Sequence, residues 1–185
     1  MKPVDRSEIL DYVTYSEQRE AIRPGVLAAK ADRRITVADG TLTFLFENRD
    51  TVRYQVHEML RTERIVKEAD IQHELSTYNE LLGDGGALGC TLLIGIDDEA
   101  ERDKKLREWV GLCEHLYAVV DGERVRPSFD ARQVGEDRLS AVQYLKFALG
   151  GKTPTALGAD HASLTVEQPL TAPQQAALAA DLADD

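Results

Sequence analysis

A chain of 185 residues, 43% hydrophobic and 30% charged, is long enough to bury a core and too apolar to be a disordered segment. Its formal net charge of −11 repels nucleic acid and anionic membrane at long range and disfavours both as partners. No window approaches the roughly 18 apolar residues of a membrane span, and MKPVDRSEILDYV lacks the apolar stretch of a signal peptide, which points to a soluble cytoplasmic protein.

Ser7 before EILDYV and Ser16 before EQREAI are N-cap candidates. They predict two short helices, the second running to about Asp32 with Pro24 kinking or splitting it. RRITV and TLTFLFE flank Ala38-Asp39-Gly40, and an Asp-Gly pair between β-rich runs marks a hairpin. From Thr51 to Leu82 neither Gly nor Pro interrupts the chain, so one long helix or two in close succession follow, with Asp50 as the cap. GDGGALG then leads into CTLLIGI, an apolar run of the buried-strand type. Because these glycines follow a helix and precede a strand, the reverse of a dinucleotide fold, they shape a turn.

Asp97 and Asp98 give DEAERDKKLREWVGLCEH the acidic first turn that a helix dipole favours. LYAVV and ERVR around Asp121-Gly122 form a second hairpin; SAVQYLKFAL, apolar on both faces, is a central strand; HASLTVEQ is a further strand. PQQAALAADLA closes the chain as a helix capped near Thr171, with Pro173 in its first turn. About seven strands and five helices, with hairpins mixed among helices, predict the α+β class. The expected arrangement is a mainly antiparallel sheet packed with one long charged helix and several shorter ones. One domain is expected: N-terminal helices over 1–33, an α+β core over 34–170, and a C-terminal helix with an acidic tail over 171–185.

The common chemical motifs fail on single residues. His57-Glu58 and His73-Glu74 each begin HExxH, but Arg61 and Thr77 stand where the second histidine belongs. Asp70-Ile71-Gln72-His73 is a lone carboxylate-x-x-His, short of a di-iron ligand set, so no metal is assigned. Gly151-Lys152-Thr153 ends like a P-loop, but Lys146 replaces its first glycine and Pro154 spoils the helix start. Cys90 and Cys113 form no CxxC and read as two reduced thiols. No cofactor is implied.

What remains is the charge in FENRDTVRYQVHEMLRTERI, residues 46–65. At 100° per residue Arg53, His57, Arg61, Arg64 and Glu68 fall on one line of a helix, with Arg49 at its start. Guanidinium forks so placed suit a carboxylate, a phosphate or an acidic partner surface. Val52, Val56, Met59 and Leu60 form the adjacent apolar stripe; Glu63 lies on its continuation and is expected to be buried, paired with an arginine or marking a site. Glu58 and Glu63 are the candidate acid–base groups.

FENRDTVRYQVHEMLRTERI, DIQHELSTYNELL, GDGGALGCTLLIGI, SAVQYLKFAL and GADHASLTVE together resemble, over nearly the whole chain, a bacterial family of unknown function and of about this length. Two positions depart from it: His57, where the family often has Gln, and Ala162-Ser163, in place of a Pro-aromatic pair. Members are often encoded beside rubrerythrin-like proteins and iron–sulfur oxidoreductases, so the resemblance implies a link to redox or peroxide defence. With neither a CxxC set nor paired ExxH motifs, the chain is expected to be an accessory to such a system. Its arginine face and its acidic last third, free of Lys and Arg from Thr153 onward, would then be docking surfaces. The alternative is an enzyme that binds a small carboxylate or phosphate on the same arginines.

Overall fold

Asp11 starts the first long helix. Its carboxylate accepts the backbone N–H groups of Val13 and Thr14, and α1 runs unbroken over Tyr12–Ala31. Ser7 belongs instead to a 3₁₀ turn at Arg6–Glu8, and Ser16 sits inside α1, returning its hydroxyl to the Tyr12 carbonyl. The expected split is therefore corrected: Pro24 lies within the helix on its exposed side, where water can take the carbonyl that proline leaves unbonded. The computed structural model describes every residue except 131–134, 136 and 185, so the last residue of the acidic tail lies outside the description.

Both Asp-Gly hairpins form. Strands β1 (Arg34–Val37) and β2 (Leu42–Phe46) turn through Ala38, Asp39 and Gly40, all at positive φ. Strands β4 (Leu116–Val120) and β5 (Glu123–Val125) turn through Asp121 and Gly122 alone, the two-residue loop that the right-handed strand twist favours. HASLTVEQ holds a hairpin as well: β8 (Ala156–His161) reverses at Ala162-Ser163 into β9 (Leu164–Pro169).

With β3 (Ala87–Ile94), β6 (Ser128–Phe129) and β7 (Val142–Ala148), the strands form two sheets, ordered β1-β2-β3-β7-β6 and β5-β4-β8-β9. Every pairing among the described residues is antiparallel, in keeping with the expected mainly antiparallel sheet. The strand covered on both faces is β3; β7 lies inside its sheet yet alternates, with Gln143, Leu145 and Phe147 buried and Val142 and Tyr144 exposed. Phe44, Phe46, Leu88 and Leu92 from one sheet and Leu116, Ala118 and Leu157 from the other join a single apolar cluster.

Helices α2 (Arg49–Glu63) and α3 (Glu68–Asn79) are the two in close succession that the uninterrupted stretch allowed, α4 (Glu99–Glu108) and α5 (Leu112–His115) part at Gly111, and α6 (Ala172–Ala183) starts from a Thr171–Gln174 capping box. No helix among the described residues is long and apolar enough to cross a membrane.

Candidate functional site

Asn48, rather than Asp50, caps α2. Its side-chain oxygen accepts the Thr51 N–H at 3.0 Å and the Thr51 hydroxyl accepts the Asn48 N–H at 2.9 Å. Asp50 is left in the first turn, 2.7 Å from Arg53. Arg53, His57 and Arg61 share a face as the periodicity requires, but the stripe stops there. Arg64 takes a left-handed conformation at φ 54° that ends the helix, and Glu68 belongs to α3, where it binds Arg6 through both oxygens.

The chain then covers the face with its own N-terminal segment. The Arg49 guanidinium donates to the carbonyls of Lys2 and Pro3 and, at 2.7 Å, to Glu8. Arg53 lies 3.7 Å from the other Glu8 oxygen. His57 is 4% exposed: its Nε2 accepts the Leu10 N–H at 2.9 Å and its ring stacks on Tyr15 with centroids 4.6 Å apart. Burial, reinforced by the nearby Arg53 charge, pushes the imidazole down to about 4. His57 is therefore neutral, with its proton on Nδ1.

Glu58 meets the next turns of α1. Arg19 donates to it from Nε at 2.7 Å and Nη2 at 3.0 Å, the Tyr15 hydroxyl at 2.5 Å, and Arg61 stands 3.6 Å away. Burial would raise this carboxyl; the Arg19 and Tyr15 hydrogen bonds and the two positive charges overcome it and hold the group near 2. Glu63 is exposed, not buried, because α2 ends at this residue and its apolar stripe has no further core to cover. Arg64 is also exposed, and its side chain forms no ion pair among the described residues.

Arg53 and His57 border a groove of about 230 Å³ between α1 and α2, but Glu8 and Asp50 line it too. Both thiols are buried, which pushes Cys90 well above its ordinary value and Cys113 up to about 11, so neither is a thiolate at neutral pH. Among the described residues no group of three or more His, Cys, Asp or Glu side chains is placed to hold a metal ion.

A family model described as a protein of unknown function (DUF3501) matches residues 3–182. The chain belongs to the DUF3501 family. A crystal structure of a novel protein of unknown function from Burkholderia pseudomallei K96243 is similar to it, with a TM-score of 0.88 at 31% identity over 97% of this chain and 99% of that one. No curated protein matches.

Two clusters in this DUF3501 protein escape sequence reasoning. In one, buried Glu47 accepts the hydroxyls of Thr51 at 2.6 Å and Thr91 at 2.8 Å, while beside it Asp181 of α6 binds Arg33 through two bonds of 2.7 and 2.8 Å and Asn48 at 3.3 Å. The position of Asp181 between Leu178 and Leu182 on an apolar helix face was the available signal. In the other, Asp160 gathers His115, Arg124 and Arg126 over Tyr117, and no spacing in the sequence announces that convergence across β4, β5 and β8.

The neutral His57 sets an acid limit on stability. Its folded value lies below the ordinary 6.5, so the contribution is complete above pH 6.5 and is lost as pH falls from there through about 4. That span corresponds to about 3 kcal/mol. His57→Gln keeps an acceptor for the Leu10 N–H and removes the titration. Urea midpoints at pH 7, 5.5 and 4.5 are expected to converge between the variant and the native chain as pH falls, and parallel curves would contradict this. Glu58 acts in a lower window: its stabilisation is present above 4.5 and lost as pH falls toward about 2.

Proposed function

We propose that this DUF3501 protein is a non-catalytic accessory that docks a redox protein partner of the rubrerythrin or iron–sulfur type through the C-terminal end of α2. The observation that carries this reading is the use made of the arginines. Arg49 and Arg53 are engaged by Glu8, Asp50 and backbone carbonyls, while Arg61, 36% exposed and only loosely paired with Glu58, and Arg64 keep their charge at the rim. Rim charges of this kind accelerate and orient docking more than they add affinity.

A small-anion enzyme is supported less. The groove beside Arg53 carries two carboxylates that repel an anion, and Glu58, ionised and held by Arg19 and Tyr15, is poorly matched to proton transfer near neutral pH. The redox identity of the partner rests on the family resemblance alone.

The test is biolayer interferometry between this chain and a purified rubrerythrin-like protein from the same genome, at low and at physiological salt. Micromolar binding that weakens with salt and weakens further in an Arg61→Gln/Arg64→Gln double variant is expected. Absence of binding at low salt, or binding indifferent to the double substitution, would refute the docking surface.

A further inference from the structure

A cavity of about 380 Å³, within the range of small-ligand sites, opens where the β1–β2 turn, the end of β3, α4 and the β8–β9 hairpin meet. Ile96, Trp109 and Leu164 supply its apolar wall, and Asp39, Glu101 and Lys105 its charged groups. It shares no residue with the docking surface on α2.

Trp109 is the group left unmatched. It stands at the end of α4 and is 4% exposed, yet its indole Nε1 donates to no acceptor among the described residues. Buried donors nearly always find a partner, because an unmade bond leaves the group desolvated without compensation. The indole donates and accepts nothing, so the missing partner is an acceptor. Nε1 is shut off from solvent, and Lys105, whose Nζ lies 5.6 Å from the centre of the indole ring, is the flexible wall group that an entering ligand can displace.

The charges of the cavity have both signs. Asp39 and Glu101 are exposed and form no ion pair among the described residues. Lys105 lies 3.0 Å from Glu108, a surface pair that yields at little cost. Two free carboxylates oppose a plain anion, and a plain cation would leave the indole donor unmatched. A zwitterion satisfies both, with its carboxylate toward Trp109 and Lys105 and its ammonium toward Asp39 and Glu101.

We propose that this cavity binds a free α-amino acid with an apolar side chain. Its carboxylate accepts from Trp109 Nε1 and Lys105, its ammonium faces Asp39 and Glu101, and its side chain packs on Ile96 and Leu164.

Trp109 is the one tryptophan of the chain, so isotopic labelling of the indole nitrogen gives a single side-chain NMR cross-peak. The full chain is titrated with leucine, with isocaproate, which lacks the ammonium, and with isoamylamine, which lacks the carboxylate. Leucine is expected to move the peak downfield saturably at millimolar concentration or below, and about tenfold more tightly than either analogue. Glu101→Gln should weaken leucine about tenfold without weakening isocaproate, and Lys105→Met should weaken leucine without weakening isoamylamine. A peak that leucine leaves in place, as a water trapped on Nε1 would, equal affinity for leucine and either analogue, or undiminished leucine binding in either variant would each overturn the proposal.

Discussion

Gly89→Ala is expected to abolish folding. Gly89 lies in β3 opposite Lys146, and its carbonyl accepts the Glu47 N–H at 2.9 Å, so it stands at the joint between the central strand and the entrance to α2. A Cβ built there would fall 1.6 Å from the Leu81 carbonyl oxygen and 2.7 Å from its carbon. Both are backbone atoms of the segment that leaves α3 and crosses over β3, so no side-chain rotation relieves the clash. Moving that segment would uncover Leu82 and Leu88, both part of the core. The expected result is insoluble protein, or a soluble product without a cooperative thermal transition. Gly25→Ala is the control: it lies within α1 with nothing within 4 Å of the added carbon, and is expected to stabilise the chain by about 0.5–1 kcal/mol through helix propensity. A Gly89→Ala protein melting close to the native temperature would show that α3 and β3 are not in this contact.

Asp181→Ala should cost about 3–5 kcal/mol, the usual penalty for stranding one member of a buried ion pair. The side chains of Arg33 and Asp181 are 13% and 7% exposed, and their paired bonds tie the last helix to the residue before β1. The same carboxylate accepts the side-chain amide of Asn48, whose oxygen caps α2. Removing it therefore strands a guanidinium and loosens a helix cap together. Urea denaturation should show a lower midpoint with an unchanged slope. An Arg33→Met/Asp181→Leu double variant should recover part of the loss, because it removes both charges instead of orphaning one. A loss below about 1 kcal/mol for Asp181→Ala would mean that α6 is held by Leu178 and Leu182 alone.

The parts of the fold legible in the sequence are those fixed by local chemistry. Asp39-Gly40 and Asp121-Gly122 turn the chain because their positive φ angles are cheap for these residues and expensive for most others. Thr171 starts α6 for an equally local reason. The division of the strands into two sheets is not local: Ala118 pairs with Leu157 while Phe44 pairs with Leu92, and nothing in either pattern states the choice. The end of α2 was hidden for a different reason. Arg64 occupies the left-handed cap without being glycine, and what favours the turn is the return of the Arg64 and Ile65 N–H groups to the Leu60 carbonyl.

The arginine stripe shows the limit most clearly. A period of 3.6 residues places Arg53, His57 and Arg61 on one face, and the structure agrees. Periodicity gives the direction of a side chain but not the element that meets it. Here the carbonyls of Lys2 and Pro3, Glu8, Leu10, Tyr15 and Arg19 arrive from more than thirty residues away. They turn a candidate ligand site into a seam between two helices, and they make Glu58, rather than Glu63, the carboxylate enclosed by cations.

Thermal unfolding in phosphate and in citrate, with ionic strength held constant by potassium chloride, tests most directly whether Arg49 and Arg53 of α2 are engaged within the chain. The account predicts no saturable rise in Tm with either anion. A site on these arginines filled to a hundredfold excess over its Kd would add about 2.7 kcal/mol. A saturable rise in the native chain that disappears in Arg53→Gln would contradict the account.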